Sequence, residues 1–317
     1  MKNAIIKGTG SYLPVRSLTN KELESQLDTT HEWIFSRTGI SSRHVASEHE
    51  TTAYMASEAA KKALNASALQ ADDIDLIIVA SCTPNQFFPS MACHVQKAIA
   101  STRSIPAFDI SAACSGFVYA MDMARQYIQT GAAKHVLVVG SESMSRAVNW
   151  QDRATCVLFG DGAGAAVLSA SDEPGILASR LHSLYDGEGY LTYDNATGSD
   201  QASFIGMRGN EVFKLAVNIM GNIVDEILDC SGLQKSDINW LIPHQANIRI
   251  IQGIAKKLNL SMEQVIVTIE NQGNTSAASI PLALDYSIQN NKISRGDLLL
   301  LESFGGGMTW GAMVIRY

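Results

Sequence analysis

Apolar positions recur in two alternating patterns along the chain. Short β-branched runs at 74–80 and 135–139 have strand length, whereas the longer stretches 53–64 and 117–130 return apolar residues at helical spacing. The second half repeats the alternation. A helix is predicted at 212–229, a short strand at Trp240-Leu241-Ile242, a second helix at 247–258, and final strands at 298–301 and 312–315. Strands alternating with helices predict an α/β fold. The longest apolar runs fall far short of the roughly 20 residues that cross a bilayer, so no transmembrane helix is expected.

The repetition reaches local sequence. Ser111-Ala112-Ala113-Cys114-Ser115-Gly116 and Asn274-Thr275-Ser276-Ala277-Ala278-Ser279 are both small-residue turns that open a helix. Phe159-Gly160-Asp161-Gly162-Ala163-Gly164 and Phe304-Gly305-Gly306-Gly307 both read as Gly-rich turns leading into a strand. The chain therefore divides into two similar halves, 1–170 and 171–317, which would place their helix N-termini facing one another at a shared site.

Composition narrows the function. With 317 residues and 46% apolar content the chain can bury a large core, which excludes a disordered tail or a small disulfide scaffold. Thirty-one acids against 24 Lys plus Arg give a net charge of -7. That balance argues against nucleic-acid or membrane-surface binding, and any anionic ligand must meet a local basic patch. The start, Met1 to Ile6, runs directly into strand-like sequence without an apolar signal core, so a cytoplasmic protein is expected. Five cysteines (Cys82, Cys93, Cys114, Cys156, Cys230) are widely spaced, with no C-x-x-C pair and no metal-ligand spacing. Most should be buried thiols, with room for one nucleophile and no metal site. Gly160-Asp161-Gly162-Ala163-Gly164 fails the G-x-G-x-x-G spacing and precedes a strand rather than a helix, which excludes a dinucleotide fingerprint.

Three residues stand out chemically. Cys114 sits where an apolar helix begins, so helix-end N–H groups and the macrodipole would favour its thiolate; the competing reading is a small buried residue at a tight helix–strand contact. His244 leaves the apolar strand 240–243 at the edge where open α/β sheets gather ligands. Asn274, in Gln272-Gly273-Asn274-Thr275-Ser276, taken alone is a turn or capping residue. Together a Cys, a His and an Asn at strand-to-helix turns form a plausible nucleophile set.

These segments, with Asp28-Thr29-Thr30-His31-Glu32-Trp33-Ile34, Arg37-Thr38-Gly39-Ile40 and Pro243-His244-Gln245-Ala246-Asn247, closely resemble the ketoacyl-ACP synthase III family of the thiolase superfamily over nearly the whole chain. The resemblance implies a five-layered αβαβα fold, a homodimer, and a Cys114, His244, Asn274 triad. It implies decarboxylative condensation of an acyl-CoA primer with a malonyl thioester on acyl carrier protein, initiating fatty-acid synthesis without a cofactor. Backbone N–H groups of Cys114 and Gly306 would hold the oxyanion, while His244 and Asn274 donate to the malonyl enolate.

Further residues carry over by the same resemblance. Trp33, Arg37 and Arg153 would hold the adenine and phosphates of CoA, and Asn210 and Asn247 would border the pantetheine tunnel, although either Asn could equally cap a helix. Phe87 and Phe88 fall near the expected acyl pocket. Lys214, Arg249, Lys256 and Lys257 form the expected basic stripe for carrier protein; the last three share a helix face at offsets of seven and eight residues. Gln272 departs from the aromatic or His that many relatives carry there, which leaves primer length open. The rival readings are a related synthase using another primer, as in polyketide pathways, and a non-condensing acyl-CoA binding protein or thioesterase in which Cys114 is structural.

Overall fold

The computed structural model describes residues 2–194 and 203–317. The first half runs through β1 (Asn3–Tyr12), β2 (Ser17–Thr19), α1 (Asn20–Glu24), α2 (His31–Thr38), β3 (Ser42–His44), α3 (Thr52–Ala66), β4 (Leu76–Ala80), α4 (Met91–Ala98), β5 (Ala107–Ile110), α5 (Gly116–Gln129), β6 (His135–Ser143) and β7 (Asp161–Ser171). The second contains β8 (Ile176–Ser183), β9 (Leu191–Tyr193), β10 (Ile205–Met207), α6 (Gly209–Ser231), β11 (Trp240–Pro243), α7 (Ile248–Leu258), α8 (Ile269–Gln272), α9 (Ser279–Gln289), β12 (Leu298–Gly305) and β13 (Thr309–Arg316).

Two mixed sheets carry the fold. In the first, ordered β1-β7-β6-β4-β5, β4 runs parallel to β5 and β6, while β7 is antiparallel to β6 and β1. The second, read as β8-β13-β12-β11, repeats the same senses strand for strand. Where a counterpart of β5 would lie, a single parallel bridge joins Leu241 to Val265.

Three apolar cores separate five layers. Helices α3 and α4 cover the outer face of the first sheet, α5 and α9 fill the space between the sheets, and α6 and α7 cover the second. Strand alternation explains the unbroken apolar runs. Along β4, Leu76, Ile78 and Ala80 face the central core while Ile77 and Val79 face α3 and α4; along β12, Leu299 and Leu301 face the central core while Leu298 and Leu300 face α6 and α7. A strand buried on both faces has no polar side to show.

Two expectations are corrected. The strand beginning at His135 continues to Ser143, because Gly140, Ser141, Glu142 and Ser143 still pair with Gly164, Ala163, Gly162 and Asp161. Backbone ladders do not require apolar side chains, so hydropathy ends the strand too early. For the same reason Gly162 and Gly164 lie inside β7 rather than in a turn. A methyl added to Gly164 would come 2.7 Å from Leu282 N, so the bare backbone lets α9 lie close.

Candidate active site

Each half contributes one sharp elbow. After β5 the chain passes Ala113 at φ 45° and enters a short 3-10 turn, Ala113–Ser115, from which α5 starts. After α8 it passes Ser276 at φ 49° into the turn Ser276–Ala278, from which α9 starts. Neither residue is glycine, and left-handed backbone costs such residues roughly 1–3 kcal/mol, so surrounding contacts must hold both turns.

Those contacts come from the opposite half. Ser303 Oγ donates to the Cys114 carbonyl at 2.8 Å, and Thr309 Oγ1 donates to the Ala112 carbonyl at 2.8 Å. In the other direction, Ser276 Oγ donates to Glu142 Oε1 at 3.2 Å, and Asn274 N donates to the Leu158 carbonyl at 2.8 Å. The elbows meet: a methyl on Gly116 would lie 3.5 Å from Ala277 Cβ.

At their junction a cavity of about 940 Å³ opens. Its walls include Cys114, His244, Asn274 and Gly306, and also Trp33, Arg37, Arg153, Asn210, Asn247 and Arg249. Cys114, His244 and Asn274 are buried, whereas Arg37, Arg153, Asn210 and Arg249 are exposed, so the cavity runs from a dry end to a charged mouth.

Local bonding aims the buried groups. Asn274 Oδ1 accepts the Ser276 N–H at 2.9 Å, which leaves the amide NH2 as the group to present. His244 continues from β11, its N–H donating to the Glu302 carbonyl at 2.8 Å, and its Nδ1 lies 2.6 Å from Ser279 Oγ. Gly305 lets β12 end against Cys114: a methyl there would sit 2.7 Å from Cys114 N. The next residue, Gly306, lines the cavity.

Burial sets the protonation states. It pushes the Cys114 thiol up to about 12, against a smaller lowering from the Ser276 hydroxyl. Desolvation thus opposes the lowering that the helix start was expected to give the thiol. Burial also lowers His244 to about 3, so its ring is neutral at physiological pH.

Several groups at this site carry no signal in the sequence. Glu142, fully buried, accepts from Cys82 N, Thr83 N, Thr83 Oγ1 and Ser81 Oγ as well as Ser276; burial raises its pKa despite these donors. Cys82 also lines the cavity, with its thiol on Glu142 Oε1 at 3.2 Å. Buried thiols are not the rule expected: Cys156 is buried, but Cys93 and Cys230 are exposed.

The remaining predicted residues divide. Trp33 is flanked by Arg37 at 4.5 Å and Arg153 at 5.2 Å from its ring centroid, and Arg153 pairs with Asp28 at 3.5 Å. Asn247 lines the cavity and caps α7, its Oδ1 accepting from Arg249 N at 2.8 Å. Asn210 is the second residue of α6 and makes no cap bond; the residue before the helix is Arg208. Lys214 and Lys256 are exposed, and Lys257, half-buried, leans onto Gly221 of α6 and donates to Asn222 Oδ1 at 2.8 Å. Phe87 and Phe88, expected near the acyl pocket, are 76% and 86% exposed between β4 and α4 and line no part of the cavity within one chain. Gln272 is buried at the end of α8, outside the lining.

Among the described residues no group of His, Cys, Asp and Glu could hold a metal ion, and no helix is long and apolar enough to cross a membrane. Residues 108–184 match the family described as 3-Oxoacyl-[acyl-carrier-protein (ACP)] synthase III, and 228–317 match its C-terminal counterpart. The chain is 53% identical over 314 residues to the beta-ketoacyl-[acyl-carrier-protein] synthase III of Thiobacillus denitrificans, covering 98% of both. It is 52% identical to that of Methylococcus capsulatus, again over 98% of both. The crystal structure of 3-oxoacyl-[acyl-carrier-protein] synthase III from Aquifex aeolicus superposes with a TM-score of 0.95 at 49% identity, over 99% of this chain and 100% of that one. The priming beta-ketosynthase of the R1128 polyketide pathway superposes with a TM-score of 0.94 at 34% identity, over 99% and 96%.

Proposed function

The chain belongs to the 3-oxoacyl-[acyl-carrier-protein] synthase III family, and from that premise we propose that its cavity condenses a short acyl-CoA primer, such as acetyl-CoA, with malonyl-acyl carrier protein, giving 3-oxoacyl-carrier protein, CoA and CO2 as the first step of fatty-acid synthesis. The observation that carries the reading is the convergence of a thiol, a neutral imidazole and a free carboxamide at the dry end of one cavity with a cationic mouth.

In the first half-reaction Cys114 sulfur bonds to the thioester carbonyl, its proton leaves with CoA as CoA-SH, and an acyl-Cys114 remains. Amides of Cys114 and Gly306 carry the oxyanion. A buried neutral thiol suits a site that stays quiet until an acyl-CoA fills it. In the second, malonyl loses CO2, and its electron pair passes into an enolate whose oxygen takes hydrogen bonds from His244 and Asn274. A neutral imidazole and an amide both donate without surrendering a proton. The enolate carbon then attacks the acyl-Cys114 carbonyl, and the thiolate released regains a proton from solvent. The departing CO2 supplies the driving force, so the scheme calls for no metal, flavin or nicotinamide.

Trp33, Arg37 and Arg153 would hold the adenine and phosphates at the mouth, with Asn210 and Asn247 along the tunnel. Lys214, Arg249 and Lys256 would draw an acidic carrier, with Lys257 bracing α6 on α7 rather than docking. We read the chain as two repeats, 1–170 and 171–317, of a cytoplasmic enzyme that binds neither nucleic acid nor membrane. It would act as a homodimer, with the exposed Phe87 and Phe88 supporting that contact surface. Intact-mass spectrometry with a panel of acyl-CoAs tests the scheme: a CoA-dependent adduct on Cys114, discharged by malonyl carrier protein, is expected, and the acyl chain that labels fastest is the primer. A wild-type protein that takes no adduct would return the chain to the acyl-CoA binding reading.

A further inference from the structure

Because His244 is neutral, the nitrogen that carries its hydrogen decides whether it can donate into the cavity. Nδ1 lies 2.6 Å from Ser279 Oγ, and the two residues are 3% and 1% exposed. The same Oγ is the acceptor of the Gln245 N–H at 3.4 Å. Serines inside helices commonly send their hydrogen to a carbonyl one turn back, as Ser287 does to Ala283 and Ser57 to Ala53. Ser279 is the first residue of α9, directly after the elbow, and among the described residues its hydroxyl has no carbonyl acceptor. With one lone pair facing Gln245, the hydroxyl hydrogen has His244 Nδ1 as its acceptor, and the ring hydrogen must then sit on Nε2.

We propose that Ser279 is a positioning residue that locks His244 in the Nε2–H tautomer. The inference rests on the reading of His244 as an enolate donor. With the hydrogen on Nδ1 instead, an Nε2 lone pair would face the developing negative oxygen and repel it. Ser279 does not line the cavity, so it acts only through the ring. The paired elbow supports the assignment: its corresponding helix-opening residue is Gly116, and no histidine of that half lines the cavity.

The test uses the full-length enzyme labelled with 15N-histidine, with two-bond proton–nitrogen spectra assigned by loss of the His244 signal in His244→Gln. Wild type is expected to show protonated Nε2 and bare Nδ1, and Ser279→Ala to show a mixture of tautomers. Kinetically, Ser279→Ala should lower kcat for malonyl carrier protein decarboxylation by roughly tenfold to a hundredfold, with its KM and the Cys114 acylation rate near wild type. A wild-type ring protonated on Nδ1 overturns the proposal, as does a Ser279→Ala enzyme with unchanged spectrum and rate. If Ser279→Ala does not fold, the wild-type spectrum alone decides. Should the wild type form no enolate from malonyl carrier protein, the enolate reading fails, while the spectrum still reports the tautomer.

Discussion

The two elbows share a backbone path and differ in what they carry. Both place a non-glycine residue at positive φ, both open a helix through a 3-10 turn, and both are clamped by strands and loops of the other half. Yet the residue after the strained position is Cys114 in one and Ala277 in the other. Cys114 lines the cavity, whereas Ala277 packs into the central core beside Ile280 and Phe117. The second elbow contributes instead through Asn274, three residues earlier, the position held by Ser111 in the first. A repeated fold thus supplies two equivalent turns, and under the proposed function chemistry is divided between them: one would hold the nucleophile, the other a permanent hydrogen-bond donor. Reciprocal clamping also means that each turn draws part of its support from the other half.

Moving the nucleophile tests this division most severely. Cys114→Ala should remove acyl-enzyme formation and condensation, by roughly a thousandfold or more. Adding Ala277→Cys should not restore either, because the new thiol faces the core. Any acyl adduct on residue 277 by peptide mass mapping would break the comparison. Next in size, His244→Ala and Asn274→Ala should each lower malonyl decarboxylation about a hundredfold while Cys114 acylation survives, since losing one oxyanion-type donor has that cost. A single-turnover assay in which either variant slows acylation as much as decarboxylation would place these donors on both half-reactions.

Glycines on the clamping strands offer a finer test. A methyl on Gly305 would press on Cys114 N at 2.7 Å, and one on Gly140 would press on the Ala277 carbonyl at 2.4 Å. Both contacts are with backbone, which can yield only by moving the elbow. Overpacking of this kind costs about 1–3 kcal/mol. Gly305→Ala should slow acylation more than decarboxylation, Gly140→Ala should do the reverse, and both should unfold at lower denaturant. Equal slowing of both steps in both variants would show that the elbows move as one body.

Much of this arrangement was legible before the structure. The runs 74–80 and 298–301 are strands because alternate residues serve separate apolar cores, and the small-residue repeat around Cys114 and Asn274 marks two real elbows. What escaped acts at a distance. Ser279 reaches His244 across 35 residues and Glu142 reaches Ser276 across 134, and neither has a local pattern. Phe87 and Phe88 show another limit: their neighbourhood in the sequence suggests a pocket wall, and within one chain both are exposed. Lys257 shares a helix face with Arg249 by periodicity, but packing against Gly221 pulls its charge onto α6.

The smallest effect concerns protonation, where Cys114 and His244 shift in opposite directions for one reason. Burial raises Cys114 to about 12 and lowers His244 to about 3, so each group is held neutral. For His244 the folded value lies below the unfolded one, near 6.5, so its contribution to stability is complete above that pH. It is lost as pH falls from about 6.5 toward 3, because the unfolded chain binds a proton that the folded site refuses. Cys114 runs the other way: its contribution is complete below about 9 and declines as pH rises toward 12. Cys82 and Cys156 are raised too, and on the acid side burial also shifts His135, Glu142, Asp161 and Glu302, so the difference between wild type and His244→Gln is what isolates the ring. Denaturant unfolding at pH 7 and pH 5 should therefore show wild type losing stability with a slope larger than that of His244→Gln, by up to one proton per molecule. Cys114→Ala should keep the wild-type acid slope. If His244→Gln and wild type lose stability in parallel over that interval, the ring is not held neutral by the fold, and its part in the comparison with the thiol falls.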